Sequence, residues 1–203
     1  MGSTGVAHLP AVLPDAPPSN VCGNTTSITL FTTLAPVGRL VMPALFAATR
    51  AIPKTLAAMD RLSFISYASW SVVRDIPYNG LPQATRRLRH AHLFFEVHFN
   101  GSWAQYIDSS VRVLTAGMKS FWGTSETFPG PLPAGPFQRF FKVHEVDCDH
   151  YFCAYPEATV TIVRSALALE QRLDMFAHRA ALLQPEAFDA AWYAFLEDAQ
   201  QFL

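Results

Sequence analysis

The chain has 203 residues, half of them hydrophobic and only 15% charged, with a net charge of −1. That length suits one domain with appendages, and a charge fraction below the usual quarter of a soluble domain points to apolar surface covered by another subunit. The 15 basic residues are scattered and their densest run, RRLRH (Arg86 to His90), is too short for a nucleic-acid footprint.

Residues 1–24, with HLPAVLPDAPPSN, read as a flexible proline-rich tail lacking the basic start and apolar run of a signal peptide; His8 within it carries no expected role. TTSITLFTTL (25–34) alternates as a half-buried strand, with Ile28, Leu30 and Leu34 on one face and Ser27, Thr29 and Thr33 on the other. APVGRLVMPALFAATRAI shifts to helical spacing, with Pro43 in its first turn or at a kink and Pro53 at its end or at a second break before KTLAAMD. Interruption by Arg39, Arg50, Lys54 and three prolines argues against a membrane span over 28–59, so a cytoplasmic protein is the default expectation.

LSFISYASWSVVRDI (62–76) is a second strand, with Phe64, Ala68, Trp70 and Val72 against Ser63, Tyr67, Ser69 and Ser71. After the turn signals of PYNGLPQ comes HAHLFFEVHFN, whose even positions are His90, His92, Phe94, Glu96 and His98 and whose odd positions are Ala91, Leu93, Phe95, Val97 and Phe99. Successive strand side chains point to opposite faces, so one face is greased and the other is mostly ionisable. NGSWAQYIDSSVRVLTAGMKSFW reads as one helix capped by Asn100 or Ser102, and GTSETFPGPLPAGP as a long loop that either connects two elements or lids a pocket, the connector being favoured.

FQRFFKVHEV is then a short helix, DCDHYFCAYPE a strand, ATVTIVRSALALEQRLDMFAHRAAL a long helix and PEAFDAAWYAFLEDAQQF a final amphipathic one. The three cysteines, Cys22, Cys148 and Cys153, have no zinc-like spacing and read as reduced, mostly buried thiols. The order is β-α-β-β-α-β, a ferredoxin-like α+β arrangement over 25–175 with a helical extension over 176–203. Its antiparallel sheet would carry helices on one face only, leaving the Ser, Thr, Tyr, His and Glu face to close against a second copy as a dimeric α+β barrel.

Three stretches carry a resemblance as a set: LFFEVHFNGSWAQYIDS, FWGTSETFPGP and HYFCAYPEATVTIVRSALAL. Together they resemble an uncharacterised family of bacterial ferredoxin-like proteins. That pattern falls on Phe99, Asn100, Gly101, Tyr106, Ile107, Asp108, then Trp122, Gly123, Phe128, Pro129 and Gly130, then Ala154, Tyr155, Pro156, Ala158, Thr159, Val163 and Arg164. The resemblance spans most of 25–172 and implies the fold without implying an activity; Glu96 and His98 stand where the family pattern has small polar residues. More distantly, the layout is similar to dimeric α+β barrels that host cofactor-free monooxygenases, small-ring cyclases, isomerases and haem proteins.

Glu96 and His98, two apart on a strand, lie about 6.5–7 Å apart along it and can address one ligand. His is the natural proton shuttle at neutral pH and Glu can orient it, which suits a cofactor-independent cyclase, isomerase or monooxygenase acting on a small organic molecule. In that reading Glu96, His98 and His92 are catalytic, and Tyr67, Ser69, Tyr151 and His150 contact substrate. The alternatives are a metal at His92, Glu96 and His98 with His150, a haem on His144 or His178, or a non-catalytic ligand-binding or assembly module whose histidine face is a subunit contact. His92 lies about 13 Å along the strand from Glu96, too far to share one ion without help from another strand.

Overall fold

A computed structural model describes residues 19–52, 59–84 and 86–202. The expected tail up to residue 18 and the break after Pro53 lie outside them. Four strands, β1 (Val21–Cys22), β2 (Thr25–Thr33), β3 (Ile65–Ile76) and β4 (Arg86–Asn100), form one antiparallel sheet in the order β1-β2-β4-β3. The helices are α1 (Gly38–Ala51), α2 (Trp103–Val113), α3 (Thr115–Trp122), α4 (Ala134–His144), α5 (Val160–Ala180) and α6 (Pro185–Ala199). Among the described residues no helix is long and apolar enough to cross a membrane.

The alternation along β4 does what its period requires. Leu93, Phe95, Val97 and Phe99 are at most 2% exposed and meet Thr32, Leu30, Ile28 and Thr26 of β2 across the ladder. On the other side of β4, Val72, Trp70 and Ala68 of β3 continue the same face. Onto it pack Met42 of α1, Tyr106 and Ile107 of α2, Phe121 and Trp122 of α3, and Phe137 and Phe141 of α4. Each such large apolar side chain removed from water contributes about 1.5–3 kcal/mol, so this layer is the main source of cohesion.

Local chemistry sets several element ends. Pro43 sits inside α1 and lacks the N–H that would bond Arg39, so the Arg39 carbonyl instead accepts from the Arg74 guanidinium of β3 at 3.1 Å. Ser102 caps α2 in a reciprocal capping box with Gln105. The single helix expected over 103–122 is two: Leu114 leaves helical geometry and α3 restarts at Thr115. The turn from β1 into β2 uses Gly23 at φ +57°, where a side chain would also run into Pro156. Val21–Cys22, in the segment read as tail, thus becomes a short edge strand.

The strand expected over 147–157 is not formed, and with it the full ferredoxin-like order. Its place is beside β2, and that edge is already used. Cys22 and Val21 pair with Thr25 and Thr26, Glu145 bridges Leu30, and Val146 N–H donates to the Thr29 carbonyl. The chain next touches this edge where Asn24 N–H donates to the Pro156 carbonyl. From Val146 to Pro156 it therefore has more length than the stretch from Thr29 of β2 back to Asn24 in the β1–β2 turn requires, and the surplus arches away from the edge. What was read as a strand is an irregular arch.

Beyond the arch, Asn100 ties three segments together. Its side-chain oxygen accepts from Val160 N–H at the start of α5, and its amide donates to the Asn24 carbonyl. Helix α5 has no buried residue. It runs continuously through position 175 and pairs with α6 through Phe176, which meets Phe188, Trp192 and Phe195, and through the Arg172–Asp198 ion pair.

Candidate functional site

The sheet face opposite the helices is laid out in rows by the strand register. Ser27, His98 and Tyr67 form one row; Thr29, Glu96 and Ser69 the next; Phe31, Phe94 and Ser71 the third; Thr33, His92 and Val73 the fourth. Glu96 and His98 point the same way because they are two apart on β4. Their side chains meet, with Glu96 Oε1 3.3 Å from His98 Nε2, and both remain partly exposed, 33% and 21%.

The arch completes the group. Tyr151 comes over this face so that its hydroxyl lies 2.8 Å from His98 Nδ1, with the two rings stacked at 5.4 Å. Both imidazole nitrogens are thereby engaged, one by a carboxylate and one by a phenol. An ionised Glu96 only accepts, so it favours the tautomer with the proton on Nε2 and leaves Nδ1 as the acceptor for the Tyr151 O–H. Partial burial raises the Tyr151 pKa above its ordinary value, with Cys153, Cys22, Glu96 and Cys148 adding in that order, so the phenol is held neutral.

Tyr67 faces His98 from β3 at 5.5 Å between ring centroids and is half exposed, and Ser69 sits opposite Glu96 in the register. Glu96, His98, Tyr151, Tyr67 and Ser69 thus form one group. His92 does not join it. It lies two rows away, stacked on Phe31 at 4.6 Å, with Nδ1 3.3 Å from Thr33 Oγ1. Its pKa is lowered by burial first and by His90 next, against a raising influence of Glu126.

His150 is exposed on the arch, where its backbone carbonyl accepts from the Cys148 thiol. His144 and His178 are engaged within their own helices through Nδ1, on the carbonyls of Phe140 and Asp174. Among the described residues no three His, Cys, Asp or Glu side chains come together in a way that could hold a metal ion.

Two features escaped the sequence. One is the direct His98–Tyr151 bond, which depends on the arch. The other is the convergence of Cys22, Cys148 and Cys153, all free and partly buried, on the surroundings of Tyr151. Their separation along the chain gave no sign of it. The face is a shelf rather than an enclosed hollow within one chain: Tyr67 is 52% exposed and Phe31 36%. Comparison of the chain with family models, with curated proteins and with solved structures gives no match.

Proposed function

We propose that the protein performs acid–base chemistry on a small organic molecule at the Glu96–His98–Tyr151 relay. The observation that carries this reading is the continuous chain carboxylate–imidazole–phenol, with contacts of 3.3 and 2.8 Å. A neutral phenol in that setting is a poor base alone, but it becomes one as its proton leaves. When the Tyr151 oxygen takes a proton from an activated C–H or O–H of the substrate, its own proton passes to His98 Nδ1. The resulting imidazolium is held by Glu96, and reversal of the steps returns the proton to the same or another substrate atom. No electrons change hands, so the chemistry fits isomerisation or cyclisation best.

In this reading the ligand sits over Tyr67 and Ser69, and a second copy of the chain closes the shelf. Its twelve side chains in the four rows include no lysine or arginine. Exposed Phe31 and Tyr67 on the face, with Phe152 and Tyr155 on the arch, extend it as an apolar rim. Such closure would exclude water from the relay, as proton transfer of this kind requires.

The test is solvent-proton exchange. Protein incubated with a small-molecule extract in deuterium oxide should incorporate deuterium into one or a few compounds, detected by mass shift. Protein carrying His98→Gln, with circular dichroism and thermal midpoint like the wild type, should not. Equal incorporation by both proteins, or none by the wild type, would overturn the proposal.

A further inference from the structure

On the opposite face of the sheet, away from the relay and independent of it, a cavity of about 340 Å³ lies between α1, β3, β4 and the α2–α3 corner. Its walls include Leu45 and Ala48 of α1, Trp70 of β3, Phe95 of β4, and Gly117 and Phe121 of α3. Protein interiors are close-packed, with few voids larger than a water molecule, so apolar space of this size is a departure that needs a cause. Two causes are visible. The chain leaves helical geometry at Leu114, between the end of α2 and the start of α3, and small residues such as Ala48, Ala116 and Gly117 line the space where larger ones would fill it. A Cβ placed on Gly117 would meet nothing within 4 Å.

The chemistry of the walls defines the occupant. Among the described residues, no charged side chain lines the cavity. The hydroxyls of Thr49 and Ser120, which do line it, donate to the carbonyls of Phe46 and Ala116 in their own helices. Trp70 stacks on Phe121 at 4.7 Å and packs on Phe95 at 5.0 Å, which gives a flat aromatic wall. Ala48, Val113, Ala116 and Ser120 are exposed at the rim, so the cavity has a way in.

We infer that this cavity is a binding site for an uncharged aromatic molecule of about two rings. An apolar cavity of about 150 Å³ holds benzene, and the space here is about twice that. Stacking on the Trp70–Phe121 wall favours a flat ring system over a flexible chain, and the absence of a charged side chain among the described lining residues disfavours an anionic one. The indole N–H groups of Trp70 and Trp122, unpartnered among the described residues, offer a donor to the ring system's π face or to one neutral acceptor.

Naphthalene and naphthalene-1-sulfonate are the probes. In the full-length protein, naphthalene should saturably shift the methyl resonances of Leu45, Leu114 and Met118, and the sulfonate should bind at least tenfold more weakly. Gly117→Leu puts a side chain into the open space and should weaken naphthalene at least tenfold while keeping the thermal midpoint or raising it. Ala48→Leu, from the other wall, supplies the same test if Gly117→Leu does not fold. Absence of a saturable shift, a preference for the sulfonate, or unchanged affinity in a folded filling variant would overturn the inference.

Discussion

His98 Nδ1 lies 2.8 Å from the hydroxyl of Tyr151, although 53 residues separate them in the chain. The contact joins the middle strand of the sheet to the arch, so it is both a structural tie and the last step of the proposed relay. Tyr151→Phe keeps the ring stack and removes only the hydroxyl. It should cost about 0.5–1.5 kcal/mol, the ordinary net worth of such a bond, measured by urea unfolding. The same variant should lower solvent-deuterium incorporation by about 100-fold or more, a loss too large for the stability change to explain.

The two titrating groups on this face act on stability in opposite pH ranges. The His92 pKa is depressed from 6.5, so the unfolded chain binds the proton more readily. Its contribution is whole above about pH 6.5 and is lost as pH falls through the folded-state pKa. The Tyr151 pKa is raised above 10.0, so its contribution is whole below that pH and lost as pH rises further. Urea midpoints measured against pH should show the acid-side loss diminished in His92→Gln and the alkaline-side loss diminished in Tyr151→Phe. An unchanged acid limb in His92→Gln would contradict the assignment.

Phe94 and Phe95 are neighbours on β4 with opposite destinations. Phe95 is 2% exposed beneath Trp70 and Trp122, and Phe95→Ala should cost about 3–5 kcal/mol. Phe94 lies on the shelf beside Phe31. If a second copy closes that shelf, Phe31→Arg should convert a dimer to a monomer in sedimentation equilibrium, with the monomer's far-ultraviolet spectrum unchanged. A wild-type protein that is monomeric at all concentrations would remove the closing copy from the proposal.

Helices α5 and α6 hold one another through Phe176 more than they hold the sheet. Phe176→Ala should therefore speed amide exchange across 176–199 by about tenfold or more while leaving the protection of β2 and β4 unchanged. Equal loss of protection in the sheet would show that the hairpin and the sheet open as one unit.

What could be read from residues alone follows how local the determinant is. The β4 alternation assigns each side chain to a face without knowledge of anything else, and the burial of Leu93, Phe95, Val97 and Phe99 follows it. Ser102 with Gln105 marks a helix start within four residues. The segment over 147–157, with Tyr151, Phe152 and Tyr155, also has the composition of a strand, yet it forms none, because its backbone would need an edge of β2 that β1 and Glu145 already occupy. That competition is between distant segments and leaves no mark in the segment itself. For the same reason Tyr151 was legible as a residue near the polar face, but its bond to His98 was not. His92 shares that face with Glu96 and His98, and its separation from them became concrete only once Phe31 and Thr33 were seen to hold it. The apolar cavity depends on Ala48 and Gly117 facing one space from separate helices, which no spacing along the chain encodes.

Asn100 fastens the first residue of α5 to the end of β4, whereas none of that helix's 21 residues is buried. The C-terminal pair is thus a cantilever, anchored at its root and laterally unsupported over much of its length. Of the four tryptophans, Trp70, Trp103 and Trp122 belong to or pack on the layered core, and Trp192 rides on the beam. Its fluorescence is therefore a built-in gauge of tilting or loading there, readable separately from the sheet once the other three indoles are silenced.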